Sequence, residues 1–158
     1  MKKWVWWSGG IAIVLVICLV TVLYISARSV IAEEMKTAEN IMLQNDEIST
    51  VHQVYYYYGD QAVYTGSSVT TEGNEAWVFV IEDNVVRIMN KEEGISVENA
   101  VQQVKEQFSL QQVRSVKPGI ENGEAIYEMT FEKDERLHFY YIKMKDGSFI
   151  KRYSIKET

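Results

Sequence analysis

Between Lys3 and Arg28 the chain runs for 24 residues without a charge, most of them Val, Ile, Leu, Ala or Trp. At about 1.5 Å rise per residue a helix of that length reaches roughly 35 Å, enough to cross a hydrocarbon core of about 30 Å. Lys2 and Lys3 precede it, and Trp4, Trp6 and Trp7 stand where an aromatic belt would meet the headgroups. The expectation is a single-pass transmembrane anchor ending near residue 26, with Ile11, Leu15, Leu19, Leu23 and Ile25 supplying apolar length. Its basic amino end stays in the cytoplasm and the rest lies outside the cell membrane. The competing reading is a cleaved signal peptide, for which Ile25-Ser26-Ala27 is an acceptable small-residue cleavage site. Against it, the apolar run over residues 11–25 already matches the longest signal cores before the tryptophan flank is added. The sole cysteine, Cys18, lies inside the run with no small-residue lipobox ending at it.

Composition narrows what the exterior can do. With Lys2 and Lys3 set aside, 14 basic residues face 22 acidic ones, a net charge of −8. Nothing gathers the positive charge needed to displace phosphate counterions, which argues against nucleic acid as a partner. The exterior contains no cysteine, so packing must stabilise it. Its tyrosines and β-branched residues, broken by a single proline, favour a packed β-containing fold.

Residues 27–44 read as an amphipathic helix, with Ile31, Met35, Ala38 and Met42 on one stripe. Strand patterns follow over 48–58, 61–70, 75–81 and 85–89, parted by Gly59-Asp60, Glu72-Gly73-Asn74 and Asp83-Asn84. Ser96 then caps a second helix whose apolar face is Val97, Ala100, Val101, Val104 and Phe108. Four more strands are expected over 110–117, 124–132, 137–143 and 148–155, with Pro118-Gly119 as the turn after the first.

This order is one helix and four strands, twice. Ala62-Val63-Tyr64 matches Ala125-Ile126-Tyr127 at a spacing of 63, and Trp77 meets Tyr140 and Phe79 meets Ile142 at the same spacing. A constant offset across two strands and a turn points to duplication. The expected class is α+β: an N-terminal transmembrane helix followed by two modules, each a helix packed on a four-stranded antiparallel sheet. Boundaries fall at 1–26 for stub and anchor, 27–91 for the first module and 92–158 for the second, with Lys91-Glu92-Glu93-Gly94 as a hinge.

Gly94-Ile95-Ser96-Val97-Glu98-Asn99-Ala100 resembles the opening of PepSY helices, and Tyr141-Ile142-Lys143-Met144-Lys145-Asp146-Gly147-Ser148-Phe149-Ile150 resembles their closing hairpin. With anchor and length included, the whole chain resembles the YpmB/TseB-like proteins of Gram-positive bacteria, with tandem PepSY-like domains. The resemblance implies a regulator of cell-wall elongation, affecting peptidoglycan synthesis and cell shape by binding a membrane-anchored class B penicillin-binding protein. It implies no catalytic residues and no cofactor. The alternatives are an inhibitor or chaperone of an exported protease, and a wall-polymer sensor.

The residues themselves offer little chemistry. His52 and His138 stand in different repeats with no His or Cys nearby, which is poor metal-ligand spacing. Ser148-Phe149-Ile150-Lys151 matches S-x-x-K by letter, but its companion motifs are absent. Glu72, Glu75, Glu82, Asp83, Glu92 and Glu93 are the carboxylates a sugar hydrolase would need in pairs, yet they fall at turns and strand ends. No enzyme activity is expected. The more informative stretch is Tyr55-Tyr56-Tyr57-Tyr58, because alternation sends two rings to each face of a strand. Tyr56 and Tyr58, with Tyr64 and Trp77, are the candidate partner-binding surface.

Overall fold

The computed structural model describes the backbone of residues 2–156, with the side chains of that span apart from residues 2–14, Leu23 and residues 25–29. The chain divides into two compact units, Met1–Lys36 and Thr37–Thr158. One helix, α1, runs unbroken over Lys2–Leu43. In the first unit the apolar side chains Leu15, Val16, Ile17, Leu19, Val20, Val22, Tyr24, Val30 and Ile31 are exposed, and Met35 is half-buried. Among the described residues no helix is long and apolar enough to cross a membrane. Six of the expected anchor residues, Trp4, Trp6, Trp7, Ile11, Leu23 and Ile25, lie outside the described side chains.

The second unit is α+β and contains two sheets of identical order. β1 (Ile48–Tyr58), β2 (Ala62–Thr70), β3 (Glu75–Ile81) and β4 (Asn84–Asn90) form the first, an antiparallel meander. A single 3-10 turn over Lys91–Glu93 leads to α2 (Val97–Phe108). β5 (Ser115–Glu121), β6 (Glu124–Lys133), β7 (Arg136–Lys143) and β8 (Phe149–Lys156) repeat the meander. The copies share an irregularity as well. Register slips between Phe79 and Val80 in β3 and between Tyr141 and Ile142 in β7, within one residue of the equivalent place.

Each sheet is covered by a helix for the reason the periodicity suggests. Ala38 and Met42, one turn apart at the end of α1, pack on Ile48, Val78 and Val80. Met42 fills the space beside Gly66, where any Cβ would stand 2.4 Å from its sulfur. Ser96 caps α2, its Oγ accepting the Asn99 amide at 3.2 Å, and Ala100 and Val104 are buried. Ser109 ends the helix in the left-handed region (φ 54°), where its amide bonds back to Glu106.

The expected strand over 110–117 is corrected. β5 begins at Ser115 and runs through Pro118-Gly119 to Glu121, so those two residues are strand and not turn. Proline is tolerated because β5 is an outer strand, whose missing N–H breaks no ladder when it faces away from β6. Glycine is required by a close approach: a Cβ at Gly119 would fall 2.4 Å from the Tyr57 ring. β1 and β5 are thus neighbours, and Tyr57, Val63, Trp77 and Phe79 share one core with Ile126, Tyr127, Met129 and Ile142 of the second sheet. The stretch read as a hinge is tied down as well. Gly94 abuts the Met144 carbonyl, and the Ile95 amide donates to that oxygen at 2.8 Å.

Candidate functional site

The four tyrosines of β1 separate as a pleated strand requires. Tyr57 is buried at 2% exposure and Tyr55 is half-buried, both on the face that meets the second sheet. Tyr56 turns the other way and packs on Tyr64 with ring centroids 5.4 Å apart. Tyr58 is the most exposed of the four, at 68%. Trp77 does not join this group. It lies on the opposite face from Tyr64, at 4% exposure, because alternation along β3 places it with Phe79 and not with Val78 and Val80. The expected four-residue surface is therefore Tyr56, Tyr58 and Tyr64 on one side, and a core tryptophan on the other.

Trp77 instead helps to line a groove of about 730 Å³ shared by both sheets and the start of α2. Tyr55 meets the Trp77 ring edge-on at 5.9 Å, and Tyr127 does so from the second sheet at 6.3 Å. Lys91 closes over the indole, its Nζ 4.6 Å from a ring centroid, while donating to Ser67 Oγ at 2.8 Å and Glu75 Oε2 at 3.1 Å. Asn74, Asn90, Glu98 and Asn99 complete a polar rim. Such a groove can orient a polar chain by hydrogen bonds. Because an ammonium already occupies one indole face, Trp77 makes a poor stacking platform for a sugar ring.

A second cluster joins the two sheets. Tyr57 donates to Glu121 Oε2 at 2.7 Å, and the other oxygen of Glu121 is held by Lys151. Tyr141 donates to Glu128 Oε2 at 2.5 Å and lies 3.0 Å, oxygen to oxygen, from the Tyr153 hydroxyl. The Lys151 ammonium sits 4.6 Å from the Tyr141 ring centroid. Glu121 and Glu128 are 8% and 7% exposed, so each buried carboxylate depends on these donors. Burial first, then the adjoining carboxylate, pushes the hydroxyl pKa of Tyr57 and of Tyr141 well above the ordinary 10.0, keeping both as neutral donors.

This sets a pH dependence with a definite sign. A tyrosine whose pKa is raised by folding contributes stability that is complete below its unfolded value, about 10, and is lost as pH rises above that. Thermal melts are expected to hold level from about pH 7 to 9 and then fall steeply above pH 10. Tyr57→Phe combined with Tyr141→Phe should start less stable but lose much less over the same alkaline interval. Parallel curves for the two proteins would contradict the assignment.

The remaining candidates are dispersed. Lys151 is engaged by Glu121, so the S-x-x-K letters form no nucleophile pair, and the Ser148 amide donates to Asp146 Oδ1 at 2.9 Å within the turn. His52 is exposed on β1, whereas His138 is stacked on Phe131 at 5.1 Å with its Nε2 against the Lys133 carbonyl. Glu72, Glu75, Glu82, Asp83, Glu92 and Glu93 are all exposed. No group of three or more metal-ligating side chains is found among the described residues. In the sequence Lys151 stands out only as the last letter of S-x-x-K, and Glu121 and Glu128 are not singled out as site residues. The one advance signal for the two glutamates is an acid at a strand position beside apolar residues.

No protein-family sequence model and no curated protein matches the chain. Two solved structures do. The YpmB protein of Bacillus subtilis superposes with a TM-score of 0.61 at 22% identity, covering 71% of this chain and 89% of its own. A candidate lipoprotein of Clostridium difficile 630 gives a TM-score of 0.40 at 13% identity, over 84% of this chain and 92% of its own. The fold is therefore that of YpmB.

Proposed function

We propose that this protein is a single-pass membrane protein whose outer part, residues 27–158, binds a membrane-anchored class B penicillin-binding protein and thereby regulates peptidoglycan elongation. It performs no chemistry of its own, needs no cofactor, and its two modules are PepSY-like. The observation that carries the reading is the apolar shell of α1. Residues 15–20 are consecutive, so at 100° per residue they point in every direction around the axis, and the described apolar members are all exposed. A helix apolar all round belongs in lipid or in a large core. Lys2 and Lys3 set its direction, with the amino end in the cytoplasm. Partner class follows from the motif resemblance and agrees with a fold shared with YpmB. Confinement of both proteins to one surface raises their effective concentration, so a modest contact suffices.

The test is crosslinking in living cells with an affinity-tagged full-length chain. A class B penicillin-binding protein should dominate what is recovered, and should disappear when residues 37–158 are deleted with the anchor kept. Recovery of an exported protease in its place would overturn the reading in favour of inhibition.

A further inference from the structure

Each sheet ends in a strand with one side unpaired among the described residues, β4 in the first and β8 in the second. The other two outer strands, β1 and β5, lie together. β8 differs from β4 in exposure and charge. Phe149, Tyr153 and Ile155 are 56%, 47% and 51% exposed on this one strand, whereas β4 exposes Val86 alone among large apolar side chains.

The apolar character continues inward from the edge. Tyr153 stacks on Phe139 at 4.8 Å and on Tyr141 at 5.9 Å, and Ile155 is the register partner of Leu137. These residues share the face of the sheet away from α2. The helix covers the alternate set, where Phe108 meets Tyr140 at 5.1 Å and Arg152 lies over Phe108. β8 carries no acid, and with Lys151 engaged by Glu121 its exposed charges are Arg152 and Lys156, both positive, in a chain of net charge −6.

A free edge presents unpaired backbone N–H and C=O groups, and edge lysines normally prevent a strand from pairing with its own kind. Two β8 strands side by side would set cation against cation, whereas an acidic strand would bring opposite charges together. We infer that the free side of β8 takes up an extended, acidic segment of the protein partner as a fifth strand of the second sheet. Backbone hydrogen bonds supply the attachment, and Tyr153 and Ile155 supply the side-chain contacts. This rests on the proposed function for the identity of the partner.

The experiment places the full-length protein and a full-length class B penicillin-binding protein of the same organism in lipid discs and measures their affinity. Ile155→Glu combined with Lys156→Glu should weaken binding roughly tenfold or more, while Val86→Glu on β4 changes it less than about twofold. Wild-type affinity should also fall as salt is raised, since the recognised charges are exposed. A photo-crosslinking residue at position 153 provides a second readout that does not depend on the charge variant folding, and it should join the two proteins. Wild-type binding that β8 changes leave intact, or crosslinks from position 153 only to a second copy of this chain, would overturn the inference and leave the proposed function standing. No binding by the wild type would overturn both.

Discussion

Tyr57→Ala is expected to destabilise the protein by about 3–5 kcal/mol, the usual cost of removing a buried large ring. Net stabilities are only about 5–15 kcal/mol, so much of the variant should be unfolded under mild denaturant. The ring is 2% exposed, rests against Gly119 and hydrogen-bonds Glu121, which lies 64 residues away in the other sheet. Its removal therefore leaves a cavity where the sheets meet, and a buried carboxylate with one donor fewer. Tyr57→Phe keeps the packing and should lose about 1–3 kcal/mol for the missing donor. Tyr58→Ala, at a neighbouring exposed position, should stay within about 0.5 kcal/mol. Urea unfolding of the detergent-solubilised chain would distinguish the three. Equal effects at 57 and 58 would mean that β1 does not alternate as described.

The second large effect concerns the amino-terminal helix. Val16→Asp with Leu19→Asp should move the protein out of the membrane fraction in a flotation gradient. A carboxylate at the centre of a spanning helix costs about 2.5–3.5 kcal/mol on insertion, so two together oppose it by roughly 5–7 kcal/mol. Leu43→Asp is the matched control, since Leu43 is exposed at the far end of the same helix. If the double variant floats with the wild type, the proposed spanning role of residues 4–25 is wrong.

What could be read in advance follows from the range of the forces involved. The 3.6-residue stripe of α2, the Ser96 cap and the turn at Asp146-Gly147 are set within a few residues of themselves, and each appears where the pattern puts it. The spacing of 63 that pairs Ala62 with Ala125 also carried through to two sheets of the same order. The extent of β5 is hidden from local pattern because Pro118-Gly119 has the composition of a turn. Only its outer position in the sheet, and the ring that needs space beside Gly119, make that pair part of a strand.

Alternation likewise assigns Tyr55 and Tyr57 to one side of β1 and Tyr56 and Tyr58 to the other, because successive side chains of any strand diverge. It carries no information about what covers each side. The partition of Trp77 from Tyr64, the closure of Lys91 over the indole, and the joining of Glu121 to both Tyr57 and Lys151 bring together residues from distant segments. By itself the sequence determined the kinds of element, their order and their repetition, since these rest on local periodicity. The tertiary structure alone decided which tyrosines are core, which carboxylates are buried and which strands lie at a sheet edge, because burial depends on the neighbour that arrives from elsewhere in the chain.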